Sequence, residues 1–360
     1  MGAHAKAPSL ILPGREALSE RIDADPLHLL GPALYERGVR SLPFLFKVLD
    51  ASMPLSIQAH PDRQLAARLY SKDPLRYPDS NHKPELAVCL RGMRALVGFR
   101  PEREIRGFLD RVIGLMDLCE TEACTGNNNF IRHAYSRLMT ADRTVVRRTV
   151  RKNIERATGS QQIEDVIFLD LIHYYGEEDP GVFCPYFLNY VEPEPFEGVY
   201  LGPNEPHAYL GGEILECMAS SDNVVRAGLT KKSIDIDTLL SMLHYRTDAP
   251  NRVQAEPLSH GIQRYPIPVS DFELLKIQTI PGHPIAFGPI NMASILLLFE
   301  GELTITARSG ERVERVHAQQ GSVLFFPGDL ESRGISIELL SESDSPSVHF
   351  AARPGHDFGL

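Results

Sequence analysis

The sequence predicts a mainly β protein with a helical insertion, and three observations carry that prediction. Before residue 100 and after residue 181 the apolar residues fall in short, strand-sized runs broken by Gly and Pro, the pattern of an antiparallel barrel or sandwich. Between residues 102 and 175 the apolar spacing changes to three and four, the period of helices. Within the first strand-rich stretch, Ser56, Gln58 and His60 alternate with Leu55, Ile57 and Ala59, so an extended chain places the three polar groups on one face.

Taken in order, residues 1–40 open with little regular pattern and then a helix near 25–37. Strands follow at 47–49 and 55–60, the second bracketed by Pro54 and Pro61. A helix over 62–71 places Leu65, Leu69 and Tyr70 on one side. Residues 86–90 and 95–99 predict a hairpin about Gly92, and Pro101 ends it. Ile105, Phe108, Val112 and Leu115 then define one apolar helix face. Further helices are expected at 130–138, 142–156 and 164–175, with stops at Gly159 and Gly176. The run 143–156 is rich in Arg and Lys, but Val145, Val146, Val150 and Ile154 give it a side to bury, so it reads as a solvated helix face. Strands return at 182–191, 198–201, 207–210 and 213–218, with Gly211-Gly212 as a turn and Glu213 and Glu216 on opposite faces. A short helix spans 235–245. The last strands are expected at 272–280, 294–299, 303–307, 323–326 and 334–339, punctuated by Gly301, Gly310, Gly321 and Gly328. His283, His317 and His349 are scattered among them and read as structural or exposed, so this part is expected to hold no metal.

Length and composition narrow the function. A chain of 360 residues supports two or three domains, and 43% hydrophobic with 23% charged residues is ordinary for a soluble protein. A formal charge of −10 argues against a nucleic-acid partner but not against a small phosphorylated one, which needs only a few local cations. No apolar run approaches a membrane span, and residues 1–8 lack the apolar core of a signal peptide. The cysteines at 89, 119, 124, 184 and 217 form no Cys-x-x-Cys pair, which argues against a thiolate zinc site or a disulfide framework and for a reducing cytoplasm.

The polar face at 56–60 and the run Asn81-His82-Lys83-Pro84-Glu85 are the chemistry-bearing stretches. Lys83 precedes a proline, which favours extended geometry and puts Lys83 and Glu85 on the same side. Gln58, His60 and Glu85 are nitrogen and oxygen donors that suit zinc, and His207, in Asn204-Glu205-Pro206-His207-Ala208-Tyr209, is the candidate fourth. The bland alternative is a polar strand beside a loop.

Five blocks in order decide between these readings. Residues 42–49 (Leu-Pro-Phe-Leu-Phe-Lys-Val-Leu), 54–61 (Pro-Leu-Ser-Ile-Gln-Ala-His-Pro), 81–85, 204–209 and 221–230 (Ser-Asp-Asn-Val-Val-Arg-Ala-Gly-Leu-Thr) resemble the type I mannose-6-phosphate isomerases. The resemblance implies two cupin-type (jelly-roll) barrels in tandem with an α-helical insertion. Residues 1–100 and 181–260 would form the catalytic barrel, 101–180 the insertion, and 261–360 a cupin-like barrel without metal. It implies one zinc per chain on Gln58, His60, Glu85 and His207, and an active-site arginine at Arg226. Lys47 and Ser56 are implied to hold the phosphate or position the sugar, together with Lys83. His82 and Asp222 flank these residues as candidates to shuttle or orient a proton, with the identity of the base left open.

The implied activity is interconversion of mannose 6-phosphate and fructose 6-phosphate through an enediol, supplying mannose for GDP-mannose and glycan synthesis. The expected protein is a cytoplasmic monomer whose partner is a small phosphorylated sugar, with neither nucleic acid nor membrane. Two departures fall within the matched region: Lys231 stands where the family usually has proline, and Glu197-Gly198 replaces its Pro-Gly-Glu order. The opening residues resemble an internal family segment, and the chain contains no tryptophan. The family's early Tyr-x-Trp-Gly and Glu-Leu-Trp steps are therefore expected to be missing. That raises a second reading, a metal- or sugar-phosphate-binding cupin that has lost catalysis. A metal-dependent cupin oxygenase is a third, disfavoured because an iron site usually takes two histidines and a carboxylate without an amide.

Overall fold

A computed structural model describes residues 1–4, 6–121, 130–288, 290–341, 345–355 and 357–358; Cys124 lies outside the described residues. The chain divides into a central unit, Leu49–Ile214 with Ser221–Arg252, and a terminal unit, Met1–Val48 with Leu215–Ser220 and Val253–Leu360. The protein is mainly β, and none of its described helices is long and apolar enough to cross a membrane.

In the central unit the sheet runs in the order Asn251–Val253, Gly198–Leu201, Glu85–Phe99, His207–Ala219, Ile57–Ala59, Val225–Gly228. Strand alternation sorts its side chains. Ile57, Ala59, Ala208, Leu210, Val225 and Ala227 share one core with the helices, which contribute Leu109, Leu138, Val150 and Phe168 among others. Each fully buried side chain of this size stabilises the unit by about 2 kcal/mol. Ala87, Cys89, Val199 and Tyr209 belong to a second cluster. The residues between the helix-facing positions, Gln58, His207 and Arg226, therefore point away from the helices.

Between residues 102 and 175 the described helices are Glu102–Arg111, Leu115–Leu118, Phe130–Met139, Arg143–Ala157 and Ile163–Tyr175. Asp142 caps the basic one by accepting from the Thr144 and Val145 amides at 2.8 and 3.3 Å. Its Val146, Val150 and Ala157 are buried, while Arg147 and Arg151 turn outward to pair with Glu178 and Glu177. Asp62 and Asp235 cap Arg63–Lys72 and Ile236–Met242 in the same way.

Three local expectations are corrected. The predicted hairpin about Gly92 is one strand, Glu85–Phe99, and the predicted turn at Gly211-Gly212 lies inside another, His207–Ala219. The glycines serve close approach rather than reversal. Gly92 and Gly212 have φ of +57° and +101°, and a Cβ on Gly212 would lie 2.3 Å from the Gly92 carbonyl oxygen. Residues 182–187 are not strand, because Pro180–Tyr186 is a 3₁₀ helix whose first turn Asp179 caps at the Gly181 amide, 2.8 Å away. Pro180 and Pro185 have no amide proton to give a ladder.

The terminal unit is a two-sheet sandwich. One sheet runs Glu256–Ser259, Ile262–Arg264, Glu273–Thr279, Ser347–Arg353, Ser294–Glu300, Val323–Phe326, and the other Ile285–Ala286, Ser336–Ser341, Glu302–Ser309, Arg312–Gln319. Leu275, Ile277, Leu296 and Leu298 of the first meet Leu303, Ile305 and Leu339 of the second in one core. Within the first sheet His349 is fully buried, with Nε2 3.2 Å from Thr279 Oγ1 and 3.1 Å from Ser347 Oγ. Its Nδ1 has no hydrogen-bond partner among the described residues, and burial pushes the imidazole down to about 4.

Two predictions follow from these packings. Gly212→Ala should cost roughly 3 kcal/mol or more by denaturant titration, because it adds both a strained φ and a clash. Gly159→Ala, at φ +78° with nothing within 4 Å, should cost only about 1 kcal/mol. Equal melting of the two variants would contradict the close-approach role. For His349, the unfolded state binds more protons than the folded state between about pH 6.5 and 4, so stability is full above that window and is lost as pH falls through it. The expected loss is on the order of 3 kcal/mol. His349→Phe should flatten the slope; an unchanged slope would show that this histidine does not titrate on unfolding.

Candidate metal centre

Register brings the candidate residues together. Gln58 pairs with His207 on one side and with Arg226 on the other, so these three side chains form a row across adjacent strands on the face away from the helices. His60 follows two residues after Gln58, beyond the strand end. Glu85 opens the long strand Glu85–Phe99, and its segment brings Lys83 with it.

The donors converge in a buried site. His60, Glu85 and His207 are each 1% exposed, and each offers a ligand atom within 4.8 Å of the others. His60 Nδ1 lies 2.7 Å from the Asn223 carbonyl oxygen, and His207 Nδ1 3.1 Å from that of Glu205. A carbonyl only accepts, so both Nδ1 atoms carry a proton and both rings turn Nε2 into the site, where a metal-binding, neutral ring presents its lone pair. Those lone pairs face the Glu85 carboxylate, with His60 Nε2 3.2 Å from Oε1 and His207 Nε2 3.5 Å from Oε2. His60 Nε2 and Glu85 Oε2 have no hydrogen-bond donor among the described residues. Lone pairs facing lone pairs in a buried site are costly, and a cation among them removes the cost.

Protonation states agree with that reading. Burial pushes His60 down to about 4, so the ring is neutral at pH 7 and its Nε2 stays open. Glu85 is held below the usual carboxylate range: burial alone would raise it, and the Lys83 ammonium, 3.4 Å from Oε1, favours the ionised form. The set is two imidazoles, one carboxylate and the Gln58 amide, whose Nε2 stands 3.4 Å from His207 Nε2. Such a set fits a divalent cation of the zinc type, left with net positive charge.

The other expected residues are distributed unevenly. Lys83 is buried against Glu85. Arg226 is half-buried, has no hydrogen-bonding or ionic partner among the described residues, and is lowered by burial while remaining a cation. Ser56 is half-buried just before the strand Ile57–Ala59. His82 accepts a hydrogen bond at Nε2 from Arg63 at 2.7 Å. Asp222 is half-buried, and its amide is held by Asp79 at 2.8 Å. Lys47 belongs to the terminal unit, where it pairs with buried Glu216 at 3.0 Å. The sequence reading gave no role to Asn223 and Glu205, because the groups they use are backbone carbonyls.

If these groups hold one metal, His207→Ala removes a main donor, and dialysed protein should retain less than about a tenth of the zinc the parent chain retains. Stoichiometric zinc at unchanged affinity in a folded His207→Ala chain would contradict the site.

Comparison with known proteins places this geometry in a family. Residues 1–102 match the family model for the phosphomannose isomerase type I catalytic domain. The chain is 37% identical to the mannose-6-phosphate isomerase of Homo sapiens over 96% of its own length and 86% of that protein's. It is 36% identical to mannose-6-phosphate isomerase 1 of Arabidopsis thaliana, over 96% and 82%. Among solved structures, a mannose 6-phosphate isomerase bound with zinc and yttrium superposes with a TM-score of 0.86 at 30% identity, covering 99% of this chain and 90% of that one. The apo form of the Salmonella typhimurium enzyme gives 0.86 at 29%, covering 99% and 89%. With this similarity spanning nearly its whole length, the chain belongs to the type I mannose-6-phosphate isomerases.

Proposed function

We propose that this chain interconverts mannose 6-phosphate and fructose 6-phosphate by moving a proton between C1 and C2 through an enediol, with one zinc ion held by Gln58, His60, Glu85 and His207. The observation that carries the reading is the row Gln58, His207, Arg226, which sets an unpartnered, half-buried cation beside the metal donors. When bound, zinc supplies a Lewis acid near the sugar oxygen that gains charge as the C–H proton leaves.

The chain's own residues supply the rest. The Arg226 guanidinium presents a planar fork to adjacent oxygens and stabilises negative charge developing there or on the phosphate. Lys83 brings a second cation to the site, held against Glu85. Gln58 must rotate its amide to offer oxygen rather than nitrogen to the cation. Ser56 and Lys47 are assigned to the phosphate or sugar by family likeness. His82 and Asp222 are the proton-handling candidates; the bond His82 accepts from Arg63 leaves its ring proton on Nδ1. The helices within 101–180 are read as an insertion into the catalytic cupin barrel, and 261–360 as a second cupin-like barrel. Cytoplasmic action on a small phosphorylated sugar, feeding GDP-mannose and glycan synthesis, is in keeping with buried free thiols at Cys89, Cys119, Cys184 and Cys217.

Arg226→Lys separates chemistry from metal binding, since it keeps a charge and loses the fork. The parent chain should turn over mannose 6-phosphate in a coupled fructose 6-phosphate assay, and Arg226→Lys should lower kcat roughly 100-fold with zinc still stoichiometric. Unchanged kcat and KM would remove Arg226 from the mechanism, and a zinc-loaded, folded parent without turnover would overturn the isomerase reading.

A further inference from the structure

A carboxylate outside the donor set, Asp79, holds together the two loops that deliver the site's residues. Its Oδ1 accepts from Ser221 Oγ at 2.8 Å, from the Asn81 amide at 2.9 Å and from Asn223 Nδ2 at 3.1 Å. Its Oδ2 accepts from the Asp222 amide at 2.8 Å, and its backbone carbonyl from Asn223 Nδ2 at 2.7 Å. The Asn81 carbonyl also accepts from Asn223 Nδ2 at 3.0 Å and, at 3.2 Å, is the alternative acceptor for the one Ser221 hydroxyl proton.

The consequences run in two directions. One loop continues through Lys83 to Glu85, and the other through Val225 to Arg226. Asn223, whose side chain Asp79 binds, also supplies the carbonyl that accepts from His60 Nδ1 at 2.7 Å and so fixes that ring's tautomer and direction. Asn223 is fully buried, which leaves its carbonyl little freedom once the side chain is anchored.

We propose that Asp79 is a positioning residue for the reaction: its carboxylate locks the loop before Lys83 to the loop before Arg226 and, through the Asn223 carbonyl, aims His60 at the metal. The inference rests on the isomerase reading for its catalytic half and on the donor geometry alone for its metal half. Asp79→Ala removes every bond that the Asp79 carboxylate makes and leaves those to the Asp79 and Asn81 carbonyls. Asp79→Asn keeps the shape and one accepting oxygen but turns an N–H toward the donors on the other side.

The test compares parent, Asp79→Asn and Asp79→Ala for kcat and KM at saturating zinc, for zinc affinity by chelator competition, and for melting temperature. The expected result is a fall in kcat of at least tenfold in Asp79→Ala, a smaller fall in Asp79→Asn, and roughly tenfold weaker zinc binding in Asp79→Ala. Melting should fall modestly in Asp79→Ala, because the buried Ser221 and Asn223 donors lose an acceptor, and activity is therefore compared well below the melting temperature of each variant. Parent-like kcat and zinc affinity in both variants would overturn the proposal, as would a lowered melting temperature with kcat intact at saturating zinc. Should Asp79→Ala fail to fold, Asp79→Asn and Ser221→Ala decide by the same criteria. A parent without turnover would refute the isomerase reading instead, and the zinc affinities would still decide whether Asp79 aims His60.

Discussion

The central constraint on this structure is the buried convergence of two imidazoles and a carboxylate at His60, His207 and Glu85. The fold fixes it by committing both Nδ1 protons to backbone carbonyls, so each ring turns its Nε2 toward Glu85. Three polar groups at 1% exposure would be a burden on any fold that did not use them. Their arrangement makes sense when a cation completes it, which links the energetics of the core to the chemistry of the site.

The sheet makes that arrangement affordable. Ile57, Ala59, Ala208, Leu210, Val225 and Ala227 bury toward the helices, and the intervening Gln58, His207 and Arg226 are thereby forced to the other face. A one-residue slip of the strand Ile57–Ala59 would drive Gln58 into an apolar core and Ile57 into the site. The helical layer therefore specifies the register of the chemistry without touching it. The close crossing at Gly92 and Gly212 plays a similar part for the two long strands that carry Glu85 and His207.

Much of this was legible in the sequence, for reasons that differ by element. The polar alternation at 56–60 is a direct statement of which face Gln58 occupies, and the amphipathic spacing from Ile105 to Leu115 and from Val146 to Val150 gives the helices. Gly92 and Gly211-Gly212 misled because glycine marks a turn and a close backbone approach with the same letter. The strand Arg312–Gln319 was not foreseen because it is exposed along nearly all its length and shows no apolar alternation, although it pairs throughout with Glu302–Ser309. The donor set was a candidate from residue types alone, and block-by-block likeness to a family decided it, since Gln-x-His by itself says little. The carbonyls of Asn223 and Glu205 and the clamp at Asp79 could not be read at all, because backbone acceptors carry no residue signature and the loops meet only after folding.

Metal stoichiometry against activity tests the account most directly. Chain stripped of metal with a chelator should be inactive toward mannose 6-phosphate, and titration with zinc should restore turnover linearly until one equivalent per chain is bound, then level off. Turnover that survives complete stripping, or that keeps rising well beyond one equivalent, would contradict a single catalytic site built on Gln58, His60, Glu85 and His207.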